Sequence, residues 1–101
     1  PWSDVGPVSE LLATKSVFNE FLAYEKMQPL VDSGAIGARS KIIVTYALCG
    51  FANPGSLGIL IGGLAGMVPE RRAEIAAMSM KAFIAGTLAC FTTACVAGVL
   101  G

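Results

Sequence analysis

Two long segments without charge constrain this chain more than any other feature of its sequence. Residues 42–69 and residues 82–101, stretches of 28 and 20 residues, contain no Asp, Glu, Lys or Arg. A helix needs roughly 20 mostly apolar residues to cross the hydrocarbon core of a bilayer, which is about 30 Å thick. One core of a 101-residue domain could hardly bury two such segments on all sides. We therefore predict that both segments lie in a membrane.

The composition excludes several classes of function. Seven acidic residues balance seven basic ones, so the chain lacks the net positive charge that a nucleic-acid-binding domain needs. Without histidine it cannot contain histidine-based metal sites or a histidine general base. Nucleophile–base pairs, phosphate-binding loops and dinucleotide fingerprints are also missing from the sequence. We therefore predict no enzyme, no metal site and no nucleic-acid partner. Because the chain begins with Pro1 rather than Met, we expect it to be part of a longer protein.

The first uncharged segment is too long and too interrupted to be one straight span. A continuous helix of this length would measure about 42 Å. Pro54 lacks a backbone N–H and pushes Asn53 out of the helical conformation. We predict two half-helices, 39–50 and 56–67, joined by an unwound stretch, with Ser56 as the N-cap of the second; one proline-kinked helix is the alternative. Unwound backbone at membrane depth must line a polar cavity or be buried in protein, and such breaks mark substrate sites in transporters.

The first section of the chain is less apolar and carries a carboxylate in an apolar setting. Its hydrophobic spacing predicts a helix over residues 8–27 that ends before Pro29. Periodicity alone favours an amphipathic surface helix over a re-entrant hairpin that breaks near Asn19 and Glu20. Glu20 is an acceptor-only group that suits a ligand with adjacent hydroxyls. A solvated glutamate on the polar face of a helix is the alternative.

The last helix is predicted to serve packing. It is expected over residues 69–99, and no ionisable group follows Lys81. Small residues recur at every fourth position and form one face, a pattern typical of closely packed membrane helices. This face consists of Ala82, Gly86, Cys90, Ala94 and Gly98.

Three motifs in a fixed order give the chain a family resemblance. They are SVFNEFLAY at 16–24, YALCGFAN at 46–53 and GSLGI at 55–59, followed by a glycine pair and then PERR at 69–72. Their order and spacing resemble the C-terminal part of the concentrative nucleoside transporter family, of the bacterial cation-coupled permease type, over essentially the whole chain. The sequence departs from that pattern at Pro54, where bacterial relatives usually carry an aromatic residue.

The resemblance implies an all-α fold and a fragment of a polytopic membrane protein. Residues 1–30 would form a re-entrant helical hairpin, 38–67 a broken transmembrane helix and 69–100 the last transmembrane helix. The resemblance also implies a homotrimer in which each subunit has an elevator-like transport domain. The resemblance therefore implies a multi-pass protein of the cell inner membrane, with the lipid bilayer and the remainder of the same transporter chain as partners.

The resemblance also implies a substrate and the residues that bind it. Family members are symporters that carry nucleosides inward using a sodium or proton gradient. By this resemblance Glu20, Asn53 and Ser56 would hydrogen-bond the ribose hydroxyls, and Phe51 would pack against the nucleoside. The coupling cation and the nucleobase would bind to the N-terminal half of the transporter, outside this chain. The segment itself is therefore expected to hold no cofactor and no metal.

Two other functions compete with this interpretation. A small structural or proton-ring membrane subunit with two helical spans would also be apolar, but a proton ring needs a carboxylate in the middle of its second span, and residues 82–101 contain none. A soluble helical binding module is the third possibility, and expression without detergent would distinguish it from the other two.

Overall fold

The chain is helical in a computed structural model that describes residues 1–50 and 52–101; the predicted substrate-packing residue Phe51 lies outside these ranges. Short 3₁₀ turns, Trp2–Asp4 and Pro69–Arg71, precede the first and last α-helices. No strand occurs in the two described ranges, in agreement with the predicted all-α class. The α-helices are α1 (Val5–Val17), α2 (Glu20–Asp32), α3 (Ala38–Ala47), α4 (Pro54–Met67) and α5 (Arg72–Leu100).

The first section forms two helices rather than one. The break falls at Asn19, whose backbone is extended and whose Oδ1 accepts a hydrogen bond of 2.9 Å from the N–H of Leu22. Asn19 therefore caps α2, and the predicted single helix over 8–27 is wrong. The prediction that Pro29 ends the helix is also wrong, because Pro29 lies inside α2. A proline removes one helical hydrogen bond, but here buried Met27 precedes it and Leu30 packs against the core beyond it, so tertiary contacts hold both sides.

A small apolar core joins the first three helices. Its members come from α1, α2, the loop that follows α2, α3 and the residue directly after α3, and each is at most 8% exposed. The core places α1 and α2 side by side and sets both against α3. It consists of Leu11, Ala23, Met27, Ile36, Val44 and Leu48.

The third and fourth helices lie one after the other along α5. Ile43 of α3 packs against Gly98 near the C-terminal end of α5, whereas Leu64 of α4 shares a groove with Ile75 near its N-terminal end. From α3 to α4 the chain therefore runs in the direction opposite to α5. Within the described residues, Pro69–Leu100 is the one helix long and apolar enough to cross a membrane, and only 11% of its most apolar window is buried.

Candidate substrate site

The start of α4 is built around a reciprocal pair of hydrogen bonds. Asn53 has extended backbone angles, φ −150° and ψ 164°, as expected for a residue that precedes a proline. Its Oδ1 accepts a hydrogen bond from the N–H of Ser56 at 2.9 Å, and its own N–H donates to Ser56 Oγ at 3.3 Å. Asn53 is thus the N-cap, and the prediction that Ser56 caps α4 is wrong. Pro54 occupies the first helical position, where a missing N–H costs nothing.

The cap hydrogen bonds use some polar groups of Asn53 and Ser56 and do not use the side-chain nitrogen of Asn53. Asn53 is only 4% exposed, and its Oδ1 serves the cap. Its Nδ2, which carries two N–H donors, makes no hydrogen bond to any described residue. The hydroxyl of Ser56 donates to the carbonyl oxygen of Asn53 at 2.9 Å. Because the N-terminus of a helix is the positive end of its dipole, this end of α4 favours an electron-rich oxygen in a ligand.

A cavity of about 420 Å³ adjoins the cap. Gly50, Ala52 and α4 form one wall, and α5 forms the other. The volume is within the range of small-molecule sites, roughly 300–1,000 Å³. The lining is mostly apolar, with hydroxyl groups from α4 and α5, and it includes Gly50, Ala52, Ser56, Leu60, Ser79 and Phe83.

Glu20 is on a different helix from the cap, as the first residue of α2. Its Oε2 is buried and has no hydrogen-bond partner within residues 1–50 and 52–101. A buried carboxylate oxygen that lacks a partner is costly, so a ligand, a water molecule or a further part of the protein is needed to satisfy it. The structure therefore brings together Asn53 and Ser56, while Glu20 is held on a separate element and does not line the cavity beside Ser56.

An aspartate that the sequence analysis overlooked ties the start of the chain to α3. Asp4 is 6% exposed, and its Oδ2 accepts hydrogen bonds from the N–H of Gly37 at 2.9 Å and from Ser40 Oγ at 2.6 Å. The Gly37 N–H, followed by the Ser40 hydroxyl, holds the pKa of the Asp4 carboxyl below its usual value. No local pattern reveals a contact between residues so far apart in sequence.

Burial of Lys15 is also not predicted by the sequence, because Lys15 is one of the polar residues that interrupt the apolar spacing of the predicted helix. It is only 1% exposed. Its Nζ lies 3.5 Å from the carbonyl oxygen of Ala47 and 5.9 Å from the centroid of the Phe91 ring. A buried ammonium thus lies at the end of α3, close to Gly50.

Comparisons with known proteins identify the class. The sequence model described as "Na+ dependent nucleoside transporter C-terminus" matches residues 1–98. Human solute carrier family 28 member 3 is 50% identical over 112 residues, which cover 98% of this chain and 16% of that protein. The nucleoside permease NupC of Helicobacter pylori is 38% identical over 102 residues, covering 98% of this chain and 24% of the permease.

A solved structure of the transporter CNTnw, in an inward-facing substrate-bound state, has the same fold. It is 40% identical to this chain with a TM-score of 0.88, and the match covers 97% of this chain and 24% of CNTnw. These relatives are transporters rather than enzymes, and this chain shares the fold of one of them. The chain belongs to the Na⁺-dependent nucleoside transporter family, in which it matches the C-terminal part. It spans between 16% and 24% of the length of the relatives named above.

Proposed function

We propose that this chain supplies the ribose-binding half of the substrate site in a cation-coupled nucleoside symporter. The observation that carries the proposal is the buried, unpartnered Oε2 of Glu20 together with the Asn53–Ser56 cap at a helix start. The full transporter carries nucleosides inward by alternating access, driven by a sodium or proton gradient. The nucleobase and the cation bind to the part of the transporter that precedes this chain.

The chemistry of a ribose fits these groups. Each ribose hydroxyl is both a donor and an acceptor, so a pair of adjacent hydroxyls needs both kinds of partner. The Glu20 carboxylate accepts from a hydroxyl, and the Nδ2 of Asn53 donates to a hydroxyl oxygen. Ser56 contacts the ribose at the helix start, and Phe51 packs against the nucleoside.

Helix lengths support a matching arrangement in the membrane. The 13-residue helices α1 and α2 are about 20 Å long, too short to cross a hydrocarbon core of about 30 Å. This length supports the proposal that residues 1–30 form a re-entrant hairpin. Helices α3 and α4 are the two halves of a broken transmembrane helix over 38–67, and residues 69–100 form the last span. The protein is a multi-pass homotrimer of the cell inner membrane.

Uridine uptake by the full-length transporter tests the site. We expect Glu20→Gln and Asn53→Ala each to raise the apparent KM for uridine by about tenfold or more, since each loses a hydrogen bond to a charged or buried polar group. Glu25→Gln is the matched control, because Glu25 is an exposed carboxylate on the same helix. An unchanged apparent KM in both test variants, at normal expression, would overturn the assignment.

A further inference from the structure

The buried ammonium of Lys15 has no role in the nucleoside site as proposed above. Lys15 lies in the last turn of α1, at the end of the helical hairpin that faces α3. No Asp or Glu oxygen lies within salt-bridge distance of it in the described ranges, where the one ion pair joins Arg71 and Glu74. Burying a charged group is costly unless something compensates it, so an apolar side chain would be favoured if packing were its only role.

Two helix ends and an aromatic ring compensate the charge of Lys15. Ala47 is the last residue of α3, where carbonyl groups lack helical partners and the helix dipole is negative. The long contact of 3.5 Å between Nζ and the Ala47 oxygen places the ammonium at this helix end. Lys15 also lies in the last turn of its own helix, and the face of Phe91 on α5 provides a cation–π contact. The ammonium therefore connects three helices at one point.

Gly50, three residues after the end of α3, lies at the same point. A Cβ added at Gly50 would lie 3.8 Å from Lys15 Nζ and 2.8 Å from Cys90 Sγ. The backbone three residues before Asn53 is thus pressed between the hairpin and α5. A small displacement of the α3 end would shift this backbone, and with it the amide of Asn53.

We propose that Lys15 is a positioning residue, which fixes the end of α3 against the hairpin and so places Asn53 for recognition of the ribose. This inference rests on the proposed function. Lys15 itself does not touch the nucleoside. Its ammonium acts through the Ala47 carbonyl and the backbone that follows it. Loss of the charge therefore weakens discrimination by ribose hydroxyls more than it weakens binding of the base.

The test compares uridine with 2′,3′-dideoxyuridine in the full-length transporter. The measured quantity is the ratio of apparent affinities for these two nucleosides, which reports on the hydroxyl contacts alone. We expect Lys15→Met to lower this ratio by about tenfold, the loss of one good hydrogen bond to the ribose. We expect Lys15→Arg, which keeps the charge, to have a ratio between those of Lys15→Met and the wild type. Lys26→Met is the matched control, because Lys26 is exposed on α2, and its ratio should not change.

Asn53→Ala separates this inference from the function on which it rests. If Asn53→Ala leaves the ratio unchanged, the ribose contact of Asn53 fails and the role of Lys15 fails with it. If Asn53→Ala lowers the ratio and Lys15→Met does not, only the role of Lys15 is overturned. Because Lys15 acts through Asn53, the double variant should show no lower ratio than Asn53→Ala alone.

A second variant decides the matter if Lys15→Met does not reach the membrane. Phe91→Leu keeps the ammonium but removes the ring face beside it. We expect the affinity ratio to fall in Phe91→Leu, but by less than in Lys15→Met. Such a partial reduction supports the positioning role. An unchanged ratio in this variant overturns it.

Discussion

The close contact between α3 and α5 at Gly98 allows a prediction about how tightly these two helices pack. Gly98 is buried, and a Cβ built on it would lie 2.7 Å from Ile43 Cγ1 and 2.9 Å from Ile43 Cδ1. Carbon atoms in favourable contact are about 3.5–4.0 Å apart. Gly98→Ala must therefore rotate Ile43 or push the two helices apart.

The expected magnitude is the difference between two effects. Overpacking a tight contact costs about 1–3 kcal/mol. Replacing glycine by alanine inside a helix stabilises it by about 0.5–1 kcal/mol. We therefore expect Gly98→Ala to destabilise the transporter by about 1 kcal/mol, within a range of roughly 0–2.5 kcal/mol. Gly86→Ala is the matched control on the same helix, because no described atom lies within 4 Å of its added Cβ, so it keeps only the favourable effect.

Thermal unfolding of the full-length protein in detergent is the assay. The midpoint for Gly98→Ala should fall below the wild-type value, and that for Gly86→Ala should equal or exceed it. Ile43→Ala removes both atoms that the new Cβ would meet. The double variant should therefore lose less stability than the sum of the single losses. Equal midpoints for Gly98→Ala and Gly86→Ala would refute the close contact between α3 and α5.

Two further predictions concern Asn53 and Asp4. Serine is a good N-cap but lacks an amide donor, so Asn53→Ser should stay within about 0.5 kcal/mol of wild-type stability while Asn53→Ala loses about 1 kcal/mol. Both should weaken uridine uptake equally, and normal uptake by Asn53→Ser would show that the amide does not bind substrate. Asp4→Asn should lower the unfolding midpoint at neutral pH, because the folded state lowers the pKa of Asp4 from its ordinary value of 3.8. That stabilisation is complete above the ordinary value and is lost as pH falls through the lowered pKa of the folded state. The difference between wild type and variant should therefore begin to shrink only below about pH 4 and disappear below the folded pKa; a difference that persists unchanged in strong acid would contradict this.

The features predictable from sequence are those set by local chemistry. Pro54 excludes a helical conformation at Asn53 and favours a helix start immediately after it, and the structure has α4 beginning at that residue. The order and spacing of the motifs predicted the family that the comparisons then identified. An asparagine directly before a proline is a strong helix-start signal, so the sequence also contains the information that identifies Asn53, rather than the predicted Ser56, as the N-cap.

The features that were missed depend on contacts distant in sequence. Pro29 fails to end α2 because core packing on both sides outweighs a lost hydrogen bond. Lys15 resembles a solvated lysine until the hairpin folds against the end of α3. The partners of Asp4 are 33 and 36 residues away, so no short pattern could indicate them. Burial of these charges is a property of the tertiary arrangement.

A structure of the full-length transporter with uridine bound would show whether this chain holds the ribose. We expect ribose hydroxyl oxygens within about 3.2 Å of the Glu20 carboxylate and of the Asn53 amide nitrogen, with the base turned toward the preceding part of the transporter. A bound uridine whose ribose lies away from both residues, or whose base occupies the start of α4, would contradict it.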